Sequence, residues 1–247
     1  MFENLLNPIL NPLLVLHPLW SLLILSFLIS LIITLIYKAM TDQDLMKQLK
    51  SETKEFQKEM KELKDHPKKM MAVQKKAMQT NMKYMGLSMK PTLVTFIPII
   101  IIFGWMHAHL AYEPILPNQD FTVTANFKNA VGNVELSVPE GLTVISNPLQ
   151  EIMDNKANWL LKGDLGEYVL EYEFEGNKHT QELLIADELA YKTPIKLVKK
   201  DKLKSLHINN EKLKVMNLFG WQVGWLGTYI IFSLIFSMAL RKMMNLA

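Results

Sequence analysis

The chain has 247 residues, a formal net charge of +3 and no cysteine. The lack of cysteine excludes disulfide frameworks, Cys-ligated zinc and thiol catalysis. Three blocks of 19 residues each, at 19–37, 92–110 and 222–240, are strongly apolar and contain no Asp, Glu, Lys or Arg. A helix of that length spans ~28 Å, about the thickness of the hydrocarbon core of a bilayer. We therefore predict three membrane-spanning helices rather than three buried core helices.

Residues 1–18 precede the first spanning block and contain one acid, Glu3, and no Lys or Arg. A secretory signal needs a basic start and a small-residue cleavage site, and neither is present, so the first span is predicted to be retained. Proline follows Asn7, Asn11 and His17. We expect these pairs to break the segment into short pieces at the membrane interface.

Charge is distributed unevenly between the predicted loops. Residues 38–90 hold 13 Lys against seven acids, whereas residues 111–221 hold 12 Lys against 16 acids. The positive-inside rule then predicts a cytosolic segment 38–90, an extracellular N-terminus and segment 111–221, and a cytosolic tail 241–247. Four tryptophans support this orientation in a cell membrane, because all fall at the predicted outer ends of the spans: Trp20, Trp105, Trp221 and Trp225.

The cytosolic segment is predicted to be a helical hairpin of coiled-coil type. Leu49, Phe56 and Leu63 repeat every seven residues, and His66-Pro67 interrupts the pattern before a second helix at 68–88. That helix places methionines on one face: Met71, Met78, Met82, Met85 and Met89. Flexible thioethers suit a surface that repacks around varied apolar partners. The alternative is that these methionines fill the interior of the hairpin.

The second span, 91–110, follows the hairpin almost without a linker, and Pro98 is expected to kink it because proline removes a backbone donor. The extracellular segment 111–221 changes to period-two alternation, which predicts an antiparallel β-sandwich of about seven strands. Tyr168, Leu170, Tyr172 and Phe174 share one buried face, Trp159 is a core candidate, and Gly176-Asn177 suggests a hairpin turn. The basic stretch 199–214 leads back to the third span.

No catalytic pattern is present, so we expect no enzyme, no cofactor, no metal site and no specific nucleic-acid partner. The histidines lack an HExxH motif, and His107 and His109 lie on different faces of a helix. There is also no glycine-rich phosphate loop and no GxSxG motif.

Polar side chains inside the spans are grouped on helix faces, as with Ser26, Ser30 and Thr34 in the first span. By themselves the residues favour helix packing, because small hydroxyl residues are common between membrane helices. The functional alternative is a partly hydrated groove open to the cytosol and to lipid. Its candidate lining residues are Ser26, Ser30, Thr34, Thr95, Gln222, Tyr229, Ser233, Ser237 and Arg241.

The order of these elements, and most specifically KPTLVTFIPIIIIFGWM at 90–106, resembles the archaeal three-span branch of the YidC/Oxa superfamily, related to the third subunit of the ER membrane protein complex. The resemblance covers residues 19–110 and 222–242. It implies an α-helical membrane protein with three transmembrane helices, a cytosolic helical hairpin and an extracellular β-sandwich insertion between the second and third helices.

The resemblance also implies a membrane-protein insertase or intramembrane chaperone, whose groove receives polar parts of a client. Nascent membrane proteins, the ribosome, lipid and a membrane partner subunit would be its partners, with Met71, Met78, Met82 and Met85 meeting client or ribosome. Better-known members place an arginine on the first core helix, whereas Arg241 is the only arginine here. This departure favours a groove of hydroxyls and water. Two rival functions remain, an extracellular-ligand receptor or scaffold and a small cation-conducting oligomer.

Overall fold

The computed structural model of the chain describes residues 3–198 and 202–246; residues 1–2, 199–201 and 247 of the predicted segments lie outside this part. The chain forms two compact units. The helical unit comprises Met1–Leu6, His17–Gly104 and Leu226–Ala247, and the strand unit comprises Asn7–Leu16 and Trp105–Trp225. The helices are α1 (Glu3–Leu14), α2 (Pro18–Met40), α3 (Gln43–Glu62), α4 (Pro67–Leu110) and α5 (Trp225–Met243).

Three of the described helices, α2, α4 and α5, are long and apolar enough to cross a membrane. Helix α2 begins with Pro18 at its first turn, where the missing backbone N–H would have had no partner. Its last turn carries Lys38, which complements the negative end of the helix dipole. The first predicted span is therefore confirmed as a helix, extended by a few residues at its carboxyl end.

The N-terminal segment forms one helix, α1, and the prediction that its Asn-Pro pairs break it into pieces was wrong. Pro8 and Pro12 both lie inside the helix and are four residues apart. The N–H that Pro12 lacks is the one that would have bonded the Pro8 carbonyl, so the two prolines disturb the same side of the helix. The remaining backbone bonds can therefore form along the other side.

The boundary predicted between the second hairpin helix (68–88) and the second span (91–110) does not exist, because α4 runs without interruption through 44 residues. Pro91 and Pro98 both lie inside α4. Each proline removes one backbone hydrogen bond, whereas ending a helix exposes several unpaired groups, which is costly near lipid. Continuation through the prolines is therefore the cheaper solution.

Helices α3 and α4 pack through small and apolar side chains. Asp42 caps α3 by accepting hydrogen bonds from the amides of Asp44 (3.1 Å) and Leu45 (3.0 Å). Buried side chains are Met46 and Leu49 on α3 and Val73 and Thr80 on α4. One apolar group, here called the end cluster, joins the carboxyl end of α2 to these helices, and its members are Tyr37, Met46, Tyr84, Leu87 and Leu246.

The strand unit contains two antiparallel sheets with a common hydrophobic core. One sheet has the order β3-β5-β1-β9-β8, the other has the order β4-β2-β6-β7, and β10 pairs with β11 separately. The strands are β1 (Phe121–Phe127), β2 (Asn133–Ser137), β3 (Leu142–Val144), β4 (Leu149–Glu151), β5 (Lys156–Gly163), β6 (Gly166–Phe174), β7 (Asn177–Ile185), β8 (Ile195–Leu197), β9 (Leu203–Ile208), β10 (Lys214–Leu218) and β11 (Trp221–Gly224).

The described strands thus exceed the seven predicted. Strands β4, β8 and β11 are too short to show alternation, β9 lies in the stretch 199–214 that was read only as basic, and β10 begins at the last residue of that stretch. The predicted inner face of β6 is confirmed for Leu170, Tyr172 and Phe174, which are buried, whereas Tyr168 is half-buried. The turn between β6 and β7 consists of Glu175 and Gly176, both with positive φ. Asn177 is the first residue of β7, so the turn lies one residue earlier than the predicted Gly176-Asn177.

The first residue predicted for the third span, Gln222, lies instead in strand β11, opposite Asn217 of β10. The prediction that Gln222 lines a groove with the residues of the third helix was therefore wrong. The turn that reverses the chain uses Phe219 (φ 52°) and Gly220 (φ 93°), and the Gly220 amide donates to Asn217 Oδ1 at 2.8 Å. Strand pairing satisfies the backbone up to Gly224, so helix α5 begins at Trp225.

Two glycines should respond to alanine in opposite ways. An added Cβ at Gly163 would lie 2.8 Å from Ile185 Cδ1 and 3.1 Å from the Gly141 carbonyl oxygen, so Gly163→Ala should destabilise the strand unit by about 1–3 kcal/mol. Gly86 lies on α4 with nothing within 4 Å of such a Cβ, and Gly86→Ala should stabilise α4 by roughly 0.5–1 kcal/mol. Thermal unfolding of both variants in detergent measures the two changes in stability. Equal shifts in melting temperature would contradict the packing described.

The strand unit should lose stability in mild acid through His207. Burial and the nearby Lys156 and Lys204 lower the pKa of His207 below its ordinary value, and Ser205 Oγ lies 2.8 Å from its Nε2. As the pH falls below about 6.5 the unfolded chain takes up the proton first, so stability declines until the lower folded-state pKa is passed. Denaturation at pH 7.5 and 5.5 should show a smaller loss in His207→Gln than in the parent. An equal loss in both would contradict the assignment.

Candidate functional site

The hydroxyl side chains predicted on α2 are buried against other helices of the helical unit. Ser26, Ser30 and Thr34 are each no more than 4% exposed. The Thr34 hydroxyl donates to the Ser30 carbonyl at 2.6 Å, one turn back on the same helix. The Ser30 hydroxyl reaches across to α5 and donates to the Ser233 carbonyl at 3.5 Å. The polar face of α2 therefore points toward α5.

The hydroxyl residues of α4 and α5 occupy comparable positions. Thr95 is buried and donates to the Pro91 carbonyl at 3.0 Å. Tyr229 is buried with its ring edge-on to Phe103 of α4 at 4.9 Å, whereas Ser233 and Ser237 are half-buried. The Ser233 hydroxyl donates to the Ile230 carbonyl of its own helix at 3.0 Å.

We call Ser26, Ser30, Thr34, Thr95, Tyr229 and Ser233 the hydroxyl cluster. Phe27 of α2 also contacts Phe236 of α5, with ring centroids 5.4 Å apart. Three of the six hydroxyls, those of Thr34, Thr95 and Ser233, donate to carbonyls of their own helix, as hydroxyls do in ordinary helix packing. In this conformation the polar faces are closed against neighbouring helices rather than open to solvent.

Ser26 is the exception within the hydroxyl cluster. Its side chain is fully buried, and its hydroxyl has no hydrogen-bond partner among the residues that the structure describes. A buried hydroxyl without a partner costs free energy, so such a group in a native structure calls for an explanation. Replacing Ser26 by alanine would remove that cost. The packing of the closed helices therefore does not explain why a serine occupies this position.

Arg241, predicted at the groove end, is exposed and holds its guanidinium over the ring of Tyr37 at 4.9 Å. This cation–π contact links the carboxyl ends of α5 and α2. Sequence reasoning missed Tyr84, which packs with Tyr37 in the end cluster, although an aromatic residue within a Lys/Met-rich run was a usable signal. It also missed Thr228, which is fully buried one residue before Tyr229.

The methionines predicted to share one face of α4 are all exposed, by 52–66%. We call them the methionine stripe: Met71, Met78, Met82, Met85 and Met89. The buried side chains of α3 and α4 are others, such as Met46, Val73 and Thr80. The alternative that the methionines fill the hairpin interior is therefore wrong.

The same face of α4 stays apolar and exposed within the spanning part of the helix. Leu93, Phe96 and Ile100 are each more than half exposed and continue the spacing of three and four residues that the stripe follows. From Met71 to Ile100 this surface extends over ~44 Å of helix, because α4 has no break there. One side of α4 thus connects a Lys-rich segment with a membrane span.

No group of three or more His, Asp or Glu side chains within residues 3–198 and 202–246 could hold a metal ion. His109, in the strand unit, stacks on Trp105 with ring centroids 4.5 Å apart, and its Nδ1 lies 2.9 Å from the Trp105 carbonyl oxygen. His107 instead neighbours Trp225. Nearby, Tyr191 donates to the His107 carbonyl at 2.7 Å and accepts from the Ala111 amide, and burial raises the pKa of Tyr191 to about 12.

Comparison with protein families matches residues 3–146, more than half of the chain, to integral membrane proteins described as EMC3/TMCO1-like. The match includes helices α1 to α4 and the first three strands, and it ends before α5. Comparisons with curated proteins and with solved structures gave no match. The matched family is the EMC3-related branch to which the sequence resemblance pointed. The chain is a multi-pass membrane protein and belongs to the EMC3/TMCO1-like family.

Proposed function

We propose that this protein is a membrane-protein insertase or intramembrane chaperone that receives apolar client segments on the methionine stripe. The observation that carries the proposal is the unbroken α4, which exposes apolar side chains from Met71 to Ile100. Family membership is consistent with it. The proposal includes the orientation given by the charge pattern, with 38–90 as a cytosolic coiled-coil hairpin and 111–221 as an extracellular β-sandwich.

The methionine stripe suits this role because methionine side chains are unbranched and polarisable and adapt to partners of different shape. A client helix docked there would exchange methionine contacts for Leu93, Phe96 and Ile100 as it moved along α4, and then for lipid. The exchange buries apolar surface throughout, so no step requires the client's apolar face to re-enter water.

The hydroxyl cluster would serve the polar parts of the client. A charged side chain at the centre of a bilayer costs ~2.5–3.5 kcal/mol on insertion scales, and hydroxyls with water lower that cost. The orphan hydroxyl of Ser26 is available for such a contact when α4 or α5 moves away from α2. We propose that the closed cluster is the resting state, and that ribosome, nascent clients and a membrane partner subunit are the partners.

Site-specific photocrosslinking from α4 tests this function. A photoreactive residue at Met78 or Met85 should crosslink a ribosome-bound nascent chain that carries an apolar segment, and a nascent chain whose segment is made polar should not crosslink. Gln79 and Lys83 are matched controls, since both are exposed on α4 but lie off the stripe. Equal yields from stripe and control positions, or crosslinks to sister copies alone, would overturn the proposal.

A further inference from the structure

The hairpin formed by β10 and β11 ends in two exposed aromatic side chains. Phe219 is 104% exposed and Trp221 is 69% exposed. Leu218 pairs with Trp221 across the two strands, so the three side chains together form an apolar tip. The tip lies within the strand unit, and neither the hydroxyl cluster nor the methionine stripe includes it.

Phe219 is unusual in conformation as well as in exposure. Its φ of 52°, followed by 93° at Gly220, gives the hairpin turn two residues with positive φ. Such turns strongly favour Asn-Gly or Asp-Gly, and a bulky aromatic residue at positive φ is strained. In water, both the positive φ of Phe219 and the exposure of its ring would be unfavourable. The ring is therefore expected to contact an apolar environment and not bulk water.

The position of the tip in the chain indicates where it acts. Residues 215–240 contain no Asp, Glu, Lys or Arg, so the uncharged run begins ten residues before α5. Trp221 is four residues from Trp225, the first residue of a spanning helix, so the two lie within about 14 Å of each other. Lys212 and Lys214 stand at the base of the hairpin, and long Lys side chains near the ends of membrane spans extend to the interface.

We propose that the β10–β11 hairpin is a membrane anchor, with Phe219 and Trp221 seated in the interfacial layer at which α5 enters the bilayer. Aromatic side chains favour this layer, where the ring meets acyl chains and polar atoms meet headgroups. The anchor requires only that α5 spans the membrane; it does not depend on insertase activity. It would tie the strand unit to the bilayer at a second point beside the helix.

Spin labelling tests the anchor in the full-length chain, because the absence of cysteine makes each introduced thiol unique. Phe219→Cys carries a nitroxide in vesicles of phosphatidylcholine and phosphatidylglycerol, and its collisions with oxygen and with a water-soluble nickel chelate are measured. The oxygen-to-nickel ratio should be at least about fivefold higher than at Val131→Cys, an exposed control in the same unit. Equal ratios would place the tip in water, and exclusion of both reagents would place it against protein; either result overturns the proposal.

A spin label at Trp221 tests the tip while Phe219 keeps its place in the turn. Trp221→Cys should show the same high ratio, and adding Phe219→Asn should lower it by at least about half, because Asn-Gly suits this turn and leaves the hairpin folded. A ratio unchanged by Phe219→Asn would mean that Phe219 does not anchor the tip.

Discussion

Trp159→Ala should destabilise the strand unit by about 3–5 kcal/mol, a large part of the roughly 5–15 kcal/mol that stabilises a typical domain. Trp159 is 1% exposed in the core shared by the two sheets, with its ring edge-on to Tyr172 at 5.6 Å. Its indole N–H donates to the Pro148 carbonyl at 2.8 Å. Alanine would leave a cavity near the centre of the core and remove one of the two hydrogen bonds that the Pro148 carbonyl accepts, leaving the one from the Leu136 amide at 3.0 Å.

Near-UV circular dichroism during urea titration of the full-length chain in detergent measures this effect. Val169→Ala is the control, because Val169 lies on the exposed face of β6, the strand that carries Tyr172. The control should shift stability by less than about 0.5 kcal/mol. If both variants unfold at the same urea concentration, Trp159 is not the centre of the core.

Replacing Met78, Met82 and Met85 together by glutamine should lower client crosslinking and insertion by roughly 100-fold. Complete burial of a methionine is worth about 1.5–3 kcal/mol, and these side chains are already partly buried, so each should contribute ~1 kcal/mol on docking. Three such contributions sum to ~3 kcal/mol, or about two orders of magnitude in affinity. Glutamine preserves side-chain length and helix propensity, so α4 should remain intact.

The control for this triple variant changes exposed positions of α4 that lie off the stripe: Lys76→Gln, Gln79→Ala and Lys83→Gln. Both variants are reconstituted in vesicles with a single-span client, and protease protection of the client measures insertion. The control should keep most of its activity. Equal loss in the two variants would mean that α4 contributes its charge or its fold to insertion, and not an apolar surface.

Span positions and the inner face of β6 were predictable because they follow local periodicity: uninterrupted apolar residues in one case, and alternation about Leu170 and Tyr172 in the other. The short strands β4, β8 and β11 could not be predicted, because three or four residues are too few to show an alternating pattern. Gln222 shows the same limit, since only its pairing opposite Asn217 assigns it to a strand.

For the candidate site, too, some features follow from the local sequence and others only from helix packing. The amino-acid order alone placed Ser26, Ser30 and Thr34 on one helix face and five methionines on another, because side-chain direction repeats every 3.6 residues. Whether a face is covered depends on which helix packs against it. Tertiary structure decided that Ser30 meets Ser233, and that the methionines stay exposed while other side chains of α3 and α4, such as Met46, Val73 and Thr80, are buried. It also decided that α4 continues through two prolines, since near lipid the other backbone hydrogen bonds favour an unbroken helix.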